Sequence, residues 1–376
     1  MRYLSKFLKN DLAKKMLLLS GPRQVGKTTL SKQLFGAENC EYLNWDILKH
    51  RQIIKSESWN QGKELLIFDE IHKLKTWKNL LKGIVDEKID QKSKQKILVT
   101  GSAKLETFRK SGDALTGRYF HYRIYPFDYA EALMYTKITP TEILERLQIT
   151  GGFPEAFFNP SDANRLRKNR IEQVFQEDLR ELSKIQSIKN ISFLVELLRD
   201  RVGGLINYAN LARDLDVSPP TVKSWIQHLE RLYLIFAVSP YSKKLERSLK
   251  KDKKYFFYDC SLSNSDGGKF ENLVAMTLLK FCHFNEDVTG ENWKLFYFRD
   301  KEKREVDFII ERNNAPYWVI EVKMKQEIFN KGLHYLKERM RQADFFQISL
   351  ESCPEEKIQG IHKLSYAVFS ERFIKY

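Results

Sequence analysis

The sequence predicts an α/β chain. A mostly parallel, doubly wound sheet with a phosphate-binding loop comes first, then a helical and winged-helix region, then a second α/β domain of nuclease-like type. Three observations carry this expectation. Gly21, Pro22, Arg23, Gln24, Val25, Gly26, Lys27 and Thr28 spell a complete G-x-x-x-x-G-K-[ST] pattern. Leu65-Leu66-Ile67-Phe68 is an apolar run that ends in Asp69-Glu70. Far downstream, Asp307 and Glu321-Val322-Lys323 sit on two apolar, strand-like segments.

The glycine-rich pattern gains meaning from its flanks. Met16-Leu17-Leu18-Leu19 reads as a short buried strand, and Leu30 to Phe35 have helical apolar spacing. In a strand–loop–helix context the glycines let the main chain fold around a polyphosphate, whose oxygens meet loop amides and the helix N-terminus. Lys27 then reaches the β/γ phosphates and the Thr28 hydroxyl holds Mg²⁺. This is the P-loop NTPase arrangement, and ATP with Mg²⁺ is the expected ligand pair.

The Leu65–Phe68 run suits a strand buried on both faces. Its acids fall at the C-terminal end, where open α/β sheets bind ligands. Asp69 is expected in the Mg²⁺ shell, and Glu70 is expected to orient and polarise the attacking water. Ile97-Leu98-Val99-Thr100 is a further strand, followed by Gly101-Ser102. In ATPases with a glutamate base, the strand between the P-loop strand and the acidic strand carries a polar γ-phosphate sensor at its tip. Ser102, or Thr100, is the candidate. Strands are expected near 16–20, 41–45, 65–69, 96–100 and 119–125, alternating with helical patterns. Residues 112–118 form a loop, and Pro126-Phe127 closes the series.

From about Tyr129 to Leu198 the pattern turns helical, broken at Gly151-Gly152-Phe153-Pro154-Glu155, which reads as a hinge or packing corner. Tyr208–Leu215 and Thr221–Leu232 read as two helices around a turn, Asp216 to Pro220, with Leu234–Val238 as the strand of a wing. Lys223, Ser224, Gln227 and His228 are placed to face a DNA groove. A packing module that binds nothing has the same pattern. Lys243–Lys254 is strongly basic.

Glu305–Glu311 and Trp318–Lys323 read as a hairpin. Strand alternation puts Glu321 and Lys323 on one face. A loop centred near Asn314 sets Asp307 opposite Glu321. Facing carboxylates repel, and a divalent cation relieves that, with oxygen ligands suited to Mg²⁺ or Mn²⁺. This is the D…E-x-K pattern of metal-dependent phosphodiester cleavage. Phe270-Glu271-Asn272-Leu273-Val274 begins an amphipathic helix whose Glu271 supplies a further acid. Alternating charge on a solvated strand is the other reading of the same residues.

Composition bounds the class. The chain has 376 residues, 42% hydrophobic and 13% aromatic, which is globular and long enough for two or three domains. A formal net charge of +15 favours a polyanionic partner, DNA first. Cys40, Cys260, Cys282 and Cys353 have no metal or disulfide spacing, which fits a reducing compartment. No apolar run approaches the roughly 18 residues a membrane span needs. A soluble cytoplasmic protein without membrane contact is expected.

Taken together, these motifs resemble those of a large prokaryotic family of AAA+-superfamily ATPases with a C-terminal domain of unknown function. The matching residues are Gly21–Thr29, Ile67-Phe68-Asp69-Glu70-Ile71-His72 with Trp77, Thr100-Gly101-Ser102, Leu115-Thr116-Gly117-Arg118, Gly151–Glu155, Phe270–Val274, and the Glu305–Phe308 plus Glu321–Lys323 hairpin. The resemblance implies an ATPase domain over 1–128 with its nucleotide cradle at Gly21 to Thr29. It implies a helical and winged-helix region over 129–240 and a restriction-endonuclease-like PD-(D/E)xK domain over 241–376. Arg118 is the arginine finger or sensor by position. One departure is Asp259-Cys260-Ser261-Leu262, where the family usually has glycine before the leucine.

The expected function is a Mg²⁺-dependent ATPase coupled to a nuclease-like, DNA-binding module, with a homo-oligomer or a protein partner also open. Lys27, Glu70, Ser102 and Arg118 would serve turnover. Glu271, Asp307, Glu321 and Lys323 would form the second site. The alternatives are an ATP-dependent switch that binds DNA or a protein without cleavage, and a signalling ATPase with no nucleic acid partner.

Overall fold

The computed structural model describes residues 2–101, 115–179, 188–242 and 252–376. They fall into two compact units, Met1–Tyr125 with Arg231–Tyr233, and Pro126–Glu230 with Leu234–Tyr376.

The first unit is built on a five-stranded sheet of β1 (Met16–Ser20), β2 (Cys40–Asn44), β3 (Leu65–Asp69), β4 (Lys96–Gly101) and β5 (Tyr119–Arg123). All pairings are parallel and the order is β2-β3-β4-β1-β5. Every residue of β1 and β3 is buried, which explains their unbroken apolar runs. On one face Leu18, Leu66, Phe68 and Val99 pack with Trp77, Leu81 and Ile84 of the helix Trp77–Asp90. Because all strands run the same way, Ser20, Asn44, Asp69, Gly101 and Arg123 share one edge of the sheet. The glycine-rich loop leaves β1 at that edge. β4 lies between β1 and β3, the position the sensor argument requires.

The second unit opens with helices Tyr129–Tyr135, Pro140–Ile149, Pro154–Phe158 and Ala163–Gln173. Gly151-Gly152 is a packing corner. A Cβ on Gly152 would lie 2.1 Å from the Phe127 carbonyl oxygen, and one on Gly151 (φ +76°) 2.1 Å from Asp259 Oδ1. Asp259 is itself buried against Arg170 and, at 3.6 Å, Arg167. Ser261, at the departure from the family pattern, donates to Asp259 Oδ1.

Helices Tyr208–Asp214 and Pro219–Arg231 follow. The expected turn at 216–220 is shorter. Asp216 (φ +52°) makes the reversal, while Pro219 opens the helix, where a missing N–H costs nothing. Val222, Trp225, Ile226 and Leu229 are buried, and Lys223, Ser224 and Gln227 are exposed.

An eight-stranded sheet completes this unit. Its strands are β6 (Ile235–Pro240), β7 (Lys254–Phe257), β8 (Trp293–Arg299), β9 (Glu305–Arg312), β10 (Ala315–Lys323), β11 (Asp344–Ser349), β12 (Glu356–Ile358) and β13 (Ile361–Ser365), in the order β12-β13-β11-β10-β9-β8-β6-β7. The strand β6, expected as a wing, pairs antiparallel with β7. Through Ser239 and Pro240 it also joins β8, so it belongs to the large sheet. Most of the basic segment at 243–254 lies outside the described residues.

The helix expected to begin at Phe270 starts earlier, at Asp266, capped by Ser265, and runs to Thr289. It is not amphipathic. Ala275, Met276, Leu278, Leu279, Phe281 and Cys282 are all buried, on every side of the helix. Its Asn272 side chain accepts from Phe257 N–H at 2.8 Å and donates to Phe257 C=O at 2.6 Å, saturating the end of β7. Asn272→Ala strands two buried backbone groups, at a cost of about 2–4 kcal/mol. Thermal unfolding of the full chain should show a midpoint lowered by roughly 5–10 °C. An unchanged midpoint would refute this role.

Candidate functional site

The glycine-rich loop is shaped by backbone that only small or permissive residues adopt. Gly21 has φ +155°, and a Cβ there would lie 2.2 Å from the Ile124 carbonyl oxygen. Gln24 and Gly26 also have positive φ. Val25 is fully buried beneath the loop, which Pro22 and Arg23 continue. Lys27 and Thr28 open the helix Lys27–Gln33, with Thr29 next. Lys27 Nζ curls back over the loop and donates to Gly21 O at 2.9 Å and Pro22 O at 2.7 Å. Arg2 clamps the loop from the side, donating to Val25 O at 2.8 Å and Tyr125 O at 2.6 Å. Nothing in the local sequence around Arg2 signals this.

Asp69 lies at the tip of β3, 6% exposed. Its Oδ1 accepts from Thr100 Oγ1 at 2.6 Å. Its Oδ2 accepts from Thr28 Oγ1 at 3.2 Å and Tyr42 OH at 2.5 Å. The loop threonine and the acidic strand are thus in direct contact. Burial, and then the Asp69 carboxylate, push the Tyr42 phenol up to about 12, so it remains a donor at neutral pH. Tyr42 belongs to the site, though its strand carries no motif.

Glu70 follows with φ +54° and donates its N–H to Thr100 O at 3.1 Å. Its Oε2 is buried and, among the described residues, has no hydrogen-bond partner; His72 Nε2 is 3.4 Å away. Burial and then the Asp69 charge raise the Glu70 pKa, against Lys27, Lys73 and Arg23. An unsatisfied carboxylate of raised basicity suits a residue that takes a proton from water. The loop, Lys27, Thr28 and Asp69 fit a nucleotide polyphosphate with Mg²⁺. The main chain leaves room where side chains would intrude, and Thr28 and Asp69 converge as hard oxygen donors.

Two turnover candidates remain. Ser102 lies outside the described residues. Arg118 precedes Tyr119, which pairs with Met16, so it sits at the edge of the sheet opposite the loop. There it pairs with Asp86 at 2.8 and 3.1 Å. An arginine at that edge is too far away to read the γ-phosphate bound by its own loop.

In the second unit, Asn313 and Asn314 both have positive φ and form a two-residue turn. That turn alone would set Glu321 one residue out of line. A bulge between Pro316 and Trp318 shifts the register so that Ile320 faces Phe308, and continuing that register by one residue sets Asp307 opposite Glu321. Val322 N–H donates to Asp307 Oδ2 at 2.8 Å, and Lys323 Nζ pairs with Glu321 at 3.0 Å. Asp307, Glu321, Lys323, Glu305, Arg304 and Asn330 line a cavity of about 420 Å³.

Lys254, unremarked within a basic run of sequence, stands among the acids. Its Nζ is 2.6 Å from Glu305, 3.6 Å from Glu271 and 3.9 Å from Asp307. Burial would lower its pKa, but Glu271, Asp307 and Glu305 outweigh it and the net shift is upward. Among the described residues, no three His, Cys, Asp or Glu side chains are placed to share a metal ion. The four predicted residues therefore share one patch without forming a metal cage.

Residues 13–133 match a family described as an AAA domain. Residues 141–269 and 266–370 match two domains of unknown function, DUF8612 and DUF4143. An uncharacterized protein of Methanocaldococcus jannaschii is 24% identical over 84% of this chain and 77% of its own length. One from Haemophilus influenzae is 22% identical over 85% and 84%. Among solved structures, the Thermotoga maritima RuvB Holliday junction branch migration motor has 19% identity, covering 66% of this chain and 92% of that one, with a TM-score of 0.33. AMPPCP-bound DnaA from Aquifex aeolicus has 14% identity, covering 60% and 86%, with a TM-score of 0.34. The front of the chain is an AAA+-type P-loop domain. Among the described residues no helix is long and apolar enough to cross a membrane.

The acid cluster has a pH signature. Burial, then the Asp307 charge, push Glu321 up to about 8 and Glu271 up to about 7, from 4.5. Between those limits the native state holds protons the unfolded chain has released, so stability falls as pH rises. In EDTA the urea midpoint should fall between about pH 5 and pH 8, less steeply in Glu321→Gln. Parallel wild-type and variant profiles would contradict this.

Proposed function

We propose that the chain is an ATP-hydrolysing switch of the AAA+ type whose second unit engages a polyanionic partner, DNA first. The observation that carries the ATPase part is the contact of Thr28, Thr100 and Tyr42 with Asp69, with Glu70 beside it. Loop amides from Gly21 to Thr29 and the Lys27 ammonium hold the phosphates. Thr28 and Asp69 would hold Mg²⁺, which when bound would neutralise charge on the polyphosphate. Glu70 orients water and takes its proton. Thr100, and Ser102 in sequence, serve as γ-phosphate sensors. Arg118, at the far edge of the sheet, would serve a neighbouring copy's nucleotide, which accords with a homo-oligomer.

The DNA part is supported by the net charge of +15 and by exposed Lys223, Ser224 and Gln227 on the second helix of the helix-turn-helix pair. A nuclease is the second reading, favoured by Asp307 facing Glu321 beside Lys323.

Lys27→Ala should weaken ATP binding at least about 100-fold by calorimetry. Glu70→Gln should bind ATP and turn it over at no more than about 1% of the wild-type rate. Wild-type hydrolysis by Glu70→Gln would remove it as the base. Retention on DNA at low salt should fall steeply as salt rises. No retention would leave a signalling ATPase or a switch with a protein partner. DNA cutting with Mg²⁺ or Mn²⁺ that is lost in Asp307→Ala would establish the second reading.

A further inference from the structure

We infer that Lys254 is the built-in cation of the second unit's carboxylate cluster and takes the place a divalent ion would occupy there. The inference concerns this cluster alone and stands apart from the ATPase reading.

Three carboxylates from two elements surround the Lys254 ammonium: Glu305 and Asp307 from β9, and Glu271 from the helix Asp266–Thr289. The lysine side chain is 3% exposed, so these acids, and not water, are its main counter-charges. Its position is set by the backbone. Lys254 pairs with Val238 in β6 and bridges to Leu205, while its Nζ lies 5.5 Å from the centre of the Tyr297 ring. Glu271 is equally fixed. Gly203 (φ +72°) passes so close that a Cβ there would lie 2.4 Å from Glu271 Oε2.

A compact ammonium with three donors can satisfy converging carboxylates at ordinary hydrogen-bond and ion-pair distances. A Mg²⁺ or Mn²⁺ ion needs oxygens at about 2.1 Å in octahedral array. Both cannot occupy one small, buried space, because like charges repel strongly where water is excluded. The cluster nevertheless has a spare acceptor. Glu321 Oε2 is buried and, among the described residues, has no hydrogen-bond partner. Glu321 is 3% exposed and lines the 420 Å³ cavity. Removing the Lys254 ammonium would leave Glu271, Glu305 and Asp307 preplaced beside the cavity, with Lys323 still paired to Glu321. Glu271, Glu305 and Asp307 are thus held in a metal-free form by Lys254, and metal access to them requires that Lys254 leave.

The test is Mn²⁺ binding to the full chain without nucleotide, read as loss of the free-ion electron paramagnetic resonance signal. Wild-type and Asp307→Asn isotherms should coincide, with no cluster site tighter than about 1 mM. Lys254→Met keeps the stem and removes the charge. It should gain one site per chain, at least about 10-fold tighter, lost again in Lys254→Met/Asp307→Asn. A wild-type site that Asp307→Asn abolishes would overturn the inference. So would a Lys254→Met protein with wild-type circular dichroism that gains no site. Should Lys254→Met fail to fold, the wild-type and Asp307→Asn comparison decides alone.

Discussion

Three hydroxyls converge on the Asp69 carboxylate, from the loop helix at Thr28, from β2 at Tyr42 and from β4 at Thr100. The carboxylate is thereby a junction between three separate stretches of chain, and its place at the C-terminal tip of a buried strand makes the junction rigid. Its partners are neutral donors, whereas a buried lysine partner would bring a full positive charge. Glu70 has the opposite surroundings, since among the described residues its buried Oε2 has no hydrogen-bond partner. Two adjacent acids thus have contrasting surroundings, one ringed by hydroxyl donors and one with its pKa raised by burial and by its neighbour's charge.

The acids of the second unit show the other way to keep carboxylates together. Glu271, Glu305 and Asp307 are gathered around an ammonium, and Glu321 around a second one. Hydroxyl donors leave room for a metal; full positive charges compete with it. The two clusters therefore differ in what they can bind, although both contain Asp and Glu at strand ends.

Much of this was legible in the sequence because burial leaves strong patterns. The strands of the first unit are short apolar runs bounded by turn residues, and their parallel order follows from alternation with helices. The P-loop and Asp69-Glu70 were readable because their chemistry is local. Tyr42, Arg2 and Lys254 were not, since each acts across 17 residues or more of sequence and none sits in a motif. Which edge of the sheet Arg118 meets was not legible, because order along the chain does not say so; the direction of β5 decides that. Pro219 and Pro220 read as turn residues, yet the first turn of a helix accommodates proline equally well. The facing of Asp307 and Glu321 was anticipated from a loop centre at Asn314, but it arises from a tighter turn combined with a bulge.

That combination has an evolutionary corollary. Adding or deleting a single residue between Arg312 and Trp318 would slip the pairing by one and rotate β10 about its axis, sending Glu321 and Lys323 into apolar packing and Ile320 and Val322 toward the cavity. Selection on this connection therefore falls on its length more than on its letters. Distant relatives should tolerate varied side chains there while conserving the residue count.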